Sequence, residues 1–368
     1  MNARILLVGK VPEIMDAVAD ELRDLGLDIT GSTEPDAVFD ARAFDVAAFG
    51  GGLRGPSGDR IKRDLLRANP ALRVLDVQAP TAAHQVATAL EGASDPDAVD
   101  LAAYCARIGY AGPLEPTLDV LRALIAHHIA AIAFESFDVL TGKGVDVAPT
   151  AVDAKLIGAR RGGYCFEQNG LFRRVLKTIG FDVEPLLGRV RWMLAPGAPP
   201  SGRTHMVLRV MLDGRPWLAD VGFGSAVPTS PLRLDATAPQ KTVHETYRII
   251  PFGGPLLLQA EVAGRWMPVY QIDPSPVLEI DWVIGNWFTA THPSSHFRHR
   301  LIAARSTPEA RHVLLENRLT IRPAGGGAAE RRYLDADGIE QALADIFGLP
   351  VEPGWRAAIE RAAQAPRA

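Results

Sequence analysis

Arg161-Gly162-Gly163-Tyr164-Cys165-Phe166-Glu167-Gln168-Asn169 is the stretch on which the reading of this chain turns. After it, Phe172, Val175, Leu176 and Ile179 recur at helical spacing and Gly180 ends the run, which predicts a helix with one buried face and Cys165 in its first turn. The free amides and dipole of a first turn favour an anion, so a thiolate there is a better-populated nucleophile at neutral pH. Gly162 and Gly163 let the backbone turn sharply and let a substrate come close. The competing reading is a small, buried, inert cysteine. Cys105, on a helical run without such punctuation, is assigned to that class.

A cysteine nucleophile needs an imidazole, and the imidazole needs a partner that fixes its tautomer. Among the nine histidines, His205 opens the alternating run to Leu212, Asp213-Gly214 signals a hairpin turn, and Arg215 to Val221 returns. A two-residue loop pairs Leu212 with Arg215, His205 with Gly222, and Val207 with Asp220. His205 and Asp220 then become diagonal neighbours on one face, roughly 7–8 Å apart between backbones, a gap an aspartate spans to reach Nδ1 of the ring. Pro216 falls opposite Met211, where a missing amide hydrogen costs little. A four-residue loop would instead separate the two side chains. Cys165, His205 and Asp220 are read as a Cys-His-Asp triad, provided the fold carries the helix start to that strand end.

Working outward, 368 residues exceed one ordinary domain, and 47% apolar with 22% charged residues is the balance of a folded protein. A net charge of -4 gives no electrostatic case for a nucleic-acid partner. Two cysteines cannot build a disulfide framework, which points to a reducing compartment. The start lacks a signal-peptide pattern, and no apolar stretch approaches the roughly 18 residues of a membrane span. A cytoplasmic location without membrane contact is expected.

Residues 1–91 alternate strand-like runs (Ile5 to Gly9, Leu27 to Thr30, Val46 to Phe49, Val74 to Val77) with helical ones (Pro12 to Leu25, Ala37 to Ala43, Ile61 to Ala68, Ala82 to Leu90). This predicts a small parallel α/β sheet. It resembles a response-regulator receiver or a Rossmann half, but Gly9-Lys10 and Gly50-Gly51 stand where a receiver carries its acidic pair and phosphoacceptor. There is no G-x-G-x-x-G and no phosphate loop. The Gly50-Gly51-Gly52 run is read as a turn, and the segment as an accessory domain whose ligand or partner is unknown. Residues 92–99, opening Gly92-Ala93-Ser94-Asp95-Pro96-Asp97, form a linker.

Residues 100–182 then read as helical. Leu118, Leu121, Leu124, Ile125, His128, Ile129 and Ile132 make one stripe with Thr117 as its cap. His127 and His128 are read as a surface and a core histidine, and no metal site is assigned. A β-rich unit covers 183–285 and a mixed region 286–368. The fold class is α+β multidomain.

The cysteine stretch, Arg203-Thr204-His205 and Asp220-Val221-Gly222-Phe223-Gly224 closely resemble the arylamine N-acetyltransferases. Leu101 to Tyr110, Ile132-Ala133-Phe134-Glu135, Arg189-Val190-Arg191-Trp192 and Asn286 to Pro293 extend the likeness to roughly three quarters of the chain. The resemblance implies a helical bundle, a β-barrel and an α/β lid over the three C-terminal segments. It also implies acetyl-coenzyme A as donor, and aromatic amines or hydrazines as acceptors. By motif match Phe134 and Phe223 would line the acceptor pocket, and Trp192, Thr204 and Phe297 would lie near coenzyme A. The family usually has Pro, Asn and Leu where Ala133, Ser136 and Phe137 stand, changes expected to border the acceptor pocket. Arg161 and Glu167 are expected to form a structural ion pair behind the cysteine loop. The alternatives are an amide synthase that moves a longer acyl chain onto an aryl amine, and a sensor built on a degenerate acyltransferase scaffold.

Overall fold

Ile5 to Val8 and Val46 to Phe49 are apolar throughout and sealed from solvent, as strands become when helices cover both faces of a parallel sheet. In the computed structural model, which describes residues 3–34, 39–50, 53, 56–77, 79, 81–90, 97–195 and 197–367, the chain forms two compact units, Met1–Pro96 and Asp97–Ala368. The first runs β1 (Arg4–Val8), α1 (Pro12–Asp24), β2 (Asp28–Ser32), β3 (Val46–Gly50), α2 (Pro56–Ala68), β4 (Arg73–Val77) and α3 (Ala82–Leu90). Its strands are all parallel, in the order β2-β1-β3-β4. The helix expected over 37–43 is only a 3-10 turn, Ala41–Ala43, capped by Asp40. Ala37, Val38, Gly51, Gly52 and linker residues 92–96 lie outside the described residues.

The second unit opens with α4 (Leu101–Ile108) and α5 (Leu118–Ala131). Asp100 caps α4 by accepting from the Ala103 amide, and Gly109 ends it at φ 67°. Thr117 accepts from the Val120 amide to start α5. Then come β5 (Phe134–Glu135), the short α6 (Phe137–Leu140) and α7 (Pro149–Asp153), and α8 (Cys165–Ile179). Helices α4, α5 and α8 share one core through Tyr104, Leu121, Leu124, Leu171 and Phe172.

The alternating middle folds into β6 (Asp182–Val190), β7 (His205–Leu212), β8 (Arg215–Ala219), β9 (Leu232–Arg233), β10 (Gln240–Lys241), β11 (Thr246–Pro251), β12 (Leu256–Val262) and β13 (Arg265–Asp273). They form an antiparallel, barrel-like sheet, β10-β11-β12-β13-β6-β7-β8-β9. The two ends meet through a side chain: the Gln240 carboxamide accepts from the Arg233 amide at 2.7 Å and donates to the Arg233 carbonyl at 3.0 Å.

Helix α9 (Glu279–Thr291) runs unbroken through residues 285 and 286. After it come β14 (Ile302–Ser306), β15 (Ala310–Leu315), β16 (Arg318–Pro323), β17 (Glu330–Tyr333), α10 (Ala336–Asp345) and α11 (Arg356–Ala363). This last sheet, β17-β16-β15-β14-β5, recruits β5 from the helical region. No helix among the described residues is long and apolar enough to cross a membrane.

Candidate active site

Cys165 is the first residue of α8 and is 5% exposed. The start of that helix is held by a one-sided cap: Glu167 Oε2 accepts from the Tyr164 amide at 3.0 Å. The two glycines before it serve neighbouring protein atoms, since neither takes a positive φ. A Cβ on Gly162 would lie 2.2 Å from the Ala133 carbonyl oxygen, and one on Gly163 would lie 2.8 Å from Glu167 Oε2. Their role is tight packing of the loop, and the expected sharp turn is absent.

The hairpin register is the one the sequence implies. Leu212 faces Arg215, Met211 faces Pro216 and Leu208 faces Ala219, with Asp213 and Gly214 at φ 50° and 70° in the turn. The ladder stops there, and His205 instead faces Gly188 on β6. Asp220 follows the end of β8, and its Oδ2 lies 2.8 Å from His205 Nε2. The carboxylate was expected at Nδ1; it meets Nε2 instead, a choice made by the side-chain torsions of His205. That leaves Nδ1 free of the carboxylate, and Cys165 is among the groups that favour the charged ring. Cys165 Sγ also lies 3.6 Å from the Thr204 carbonyl oxygen.

Gly222 explains how the strand end reaches the helix. A Cβ there would sit 2.7 Å from Cys165 Cα and 2.9 Å from Asn169 Nδ2, so the two backbones touch where a side chain is missing. Asn169 lies one turn beyond Cys165 on the same face of α8. Its Nδ2 donates to Asp220 Oδ1 at 2.9 Å, and its Oδ1 accepts from the Val221 amide at 3.0 Å. The Gly222 amide and the Tyr270 hydroxyl also donate to Asp220, each at 2.9 Å. The carboxylate thus accepts four hydrogen bonds while 1% exposed.

Burial opposes charge on His205, but the Asp220 carboxylate and the bonds to Asp220 and Cys165 outweigh it and push the ring up to about 10. Burial would raise Asp220, yet the His205 charge and the bonds from His205, Asn169 and the Gly222 amide hold it below the ordinary carboxylate value. Both directions describe an imidazolium–carboxylate pair at neutral pH.

Arg161 and Glu167 do not pair with each other. Arg161 Nη2 lies 2.7 Å from Glu135 Oε1 and 3.1 Å from Asp138 Oδ1, and Nη1 lies 2.6 Å from Glu352 Oε1. Glu167 pairs with Lys155 at 2.6 Å, and Lys155 reaches Asp138 at 2.6 Å. Asp138 therefore joins two clusters behind the cysteine loop. Trp355 lies 4.6 Å under the Arg161 guanidinium and stacks on Phe137 at 3.8 Å. Phe137 belongs to the C-terminal core with Trp355, so this departure from the family pattern is packed there.

Of the aromatic positions, Phe223 packs edge-on to His205 at 5.0 Å. Phe134 lies 5.9 Å from Phe297, and Phe297 also meets Tyr164 at 5.9 Å. Trp192 is half-buried against the barrel core that Phe223 also joins. His128 is fully buried between the Tyr104 hydroxyl at 2.9 Å and Gln168 Oε1 at 3.2 Å, and burial drops it to about 3. His127 is half-buried, with Nδ1 3.2 Å from the Ile108 carbonyl, and is not the free surface residue expected. Tyr270 was missed because β13 brings it to the site from fifty residues downstream. Asn169 was quoted without a role, although its i+4 spacing from Cys165 was the available signal.

A family model described as N-acetyltransferase matches residues 117–356. A curated arylamine N-acetyltransferase of Mycolicibacterium smegmatis is 43% identical over 257 residues, spanning 68% of this chain and 92% of the relative. One from Escherichia coli K12 is 40% identical over 250 residues, spanning 68% and 88%. The solved Mycobacterium marinum arylamine N-acetyltransferase in complex with CoA superposes with a TM-score of 0.68 at 42% identity, over 72% of this chain and 98% of that one. The fold and these matches define an acyltransferase. The chain belongs to the arylamine N-acetyltransferase family.

Proposed function

We propose that the protein transfers an acetyl group from acetyl-coenzyme A to an arylamine or arylhydrazine through an acetyl-Cys165 thioester, in a ping-pong cycle. The reading rests above all on His205 bonded to Asp220 through Nε2, at a strand end whose Gly222 packs against the Cys165 backbone. Cys165 thiolate attacks the thioester carbonyl, and the C–S bond to coenzyme A breaks. The leaving thiolate takes a proton from His205. The Cys165 amide, at the first helical position with no intrahelical acceptor, supports the oxyanion.

Once the sulfur is acetylated, its contribution to holding the proton on His205 is gone, and the neutral ring serves as base. The amine attacks the acetyl carbon, His205 Nδ1 takes the amine proton, and Cys165 leaves as thiolate. Asp220 holds the ring through Nε2 without taking its proton. Phe134 and Phe223 are proposed to line the acceptor side, and Trp192, Thr204 and Phe297 the donor side. The relative solved with CoA supports the donor, and the names of the relatives support the acceptor.

The test is mass spectrometry of the intact protein after acetyl-coenzyme A without acceptor. One acetyl group on the peptide carrying Cys165, discharged by an added arylamine, is expected. A Cys165 left unmodified by acetyl-coenzyme A in the absence of acceptor, in protein that acetylates an arylamine when one is added, sinks the mechanism.

A further inference from the structure

The N-terminal unit contains a cavity of about 130 Å³ that the acyl-transfer cycle leaves unused. It lies at the carboxyl ends of β1, β3 and β4, beside the start of α1. In the order β2-β1-β3-β4, the chain leaves β1 and β3 in opposite directions, and ligands of open parallel sheets bind at such a switch point. The walls are apolar, with Leu7, Met15, Val18 and Val77 buried around the space. Ile14, 47% exposed, stands at the rim. A Cβ on Gly9 would lie 2.4 Å from Met15 Sδ, so the thioether lies directly over the end of β1.

Among the described residues, Lys10 is the only charged residue of the lining. It is exposed and has no ion pair among the described residues. An aliphatic cavity of about 150 Å³ holds benzene, and a thioether favours an aromatic neighbour. With a single cation and no other polar side chain among the described residues of the wall, a monoanion matches the charge that Lys10 supplies better than a dianion does. We propose that this crevice binds a small aromatic monocarboxylate, its ring against Met15 and Val18 and its carboxylate at Lys10.

The experiment uses the full chain labelled with ¹³C at the methionine methyls, titrated with benzoate. Met15→Leu identifies one of the six methionine signals. A saturable shift of the Met15 methyl is expected, with a dissociation constant on the order of 1 mM for a ligand this small. Lys10→Gln weakens it about threefold to fivefold, and Ile14→Glu, which puts a carboxylate at the rim, weakens it about tenfold. Both sites are exposed, so each variant keeps the wild-type unfolding midpoint. Benzylamine and acetate, lacking respectively the anion and the ring, leave the signal in place. An unmoved Met15 signal with benzoate, an equal response to benzylamine, or undiminished binding in Lys10→Gln overturns the proposal; should Ile14→Glu fail to fold, Lys10→Gln decides alone.

Discussion

Replacing Asp220 by Asn tests the charge arrangement of the site most directly. The rise of His205 from 6.5 to about 10 corresponds to ~5 kcal/mol in favour of the imidazolium. The carboxylate is the largest favourable contributor to that rise. Asn keeps the volume but removes the charge, and its amide group must confront at least one of the four donors that now converge on Asp220. Burial, which opposes the charged ring, then prevails and leaves His205 neutral at pH 7. The assay is the pH dependence of the His205 ring ¹⁵N shifts in histidine-labelled protein. In the parent protein the ring stays protonated through neutrality and titrates at about 10. In Asp220→Asn it is neutral at pH 7. A ring still protonated at pH 8 in the variant refutes the idea that Asp220 sustains the ion pair.

Gly162→Ala places a methyl 2.2 Å from the Ala133 carbonyl oxygen and is expected to cost ~1–3 kcal/mol, seen as a lower urea midpoint. Lys155→Met leaves Glu167 buried without its cation and should cost ~3–5 kcal/mol; adding Glu167→Gln recovers part of the loss in a double-mutant cycle. The His205–Asp220 pair also sets a pH window for stability. His205, raised, contributes fully below pH 6.5 and loses that contribution as pH climbs through about 10. Asp220, depressed, contributes above its ordinary value of 3.8 and loses it as pH falls below that. The stability difference between the parent and Asp220→Asn should be flat from about pH 4 to about pH 6.5, shrink as pH climbs from 6.5 through about 10, and shrink again below 3.8, as followed by chemical unfolding across pH.

The helix start at Cys165 and the hairpin were legible because their signals are local: a glycine pair, a 3.6-residue stripe ended by Gly180, and Asp-Gly between two alternating runs. The four parallel strands of the N-terminal unit were legible for the same reason. Ring orientation was not. Which nitrogen of His205 meets Asp220 is set by side-chain torsions, which no local sequence pattern encodes. The partners of Arg161 were hidden because Glu135, Asp138 and Glu352 come from three separate segments. Tyr270 looks like any aromatic residue of an alternating strand until β13 is laid beside β6. The recruitment of β5 into the last sheet was equally unreadable, since two residues carry no periodicity.

The bond from Glu352 to Arg161, with Trp355 beneath the same guanidinium, ties the final seventeen residues to the loop that presents the sulfur. A premature stop codon just upstream of Glu352 would spare every chemically reacting group and still strip a salt bridge and an aromatic platform from the base of that loop. The placement of the sulfur thus draws on a carboxylate 191 residues further along the chain than Arg161.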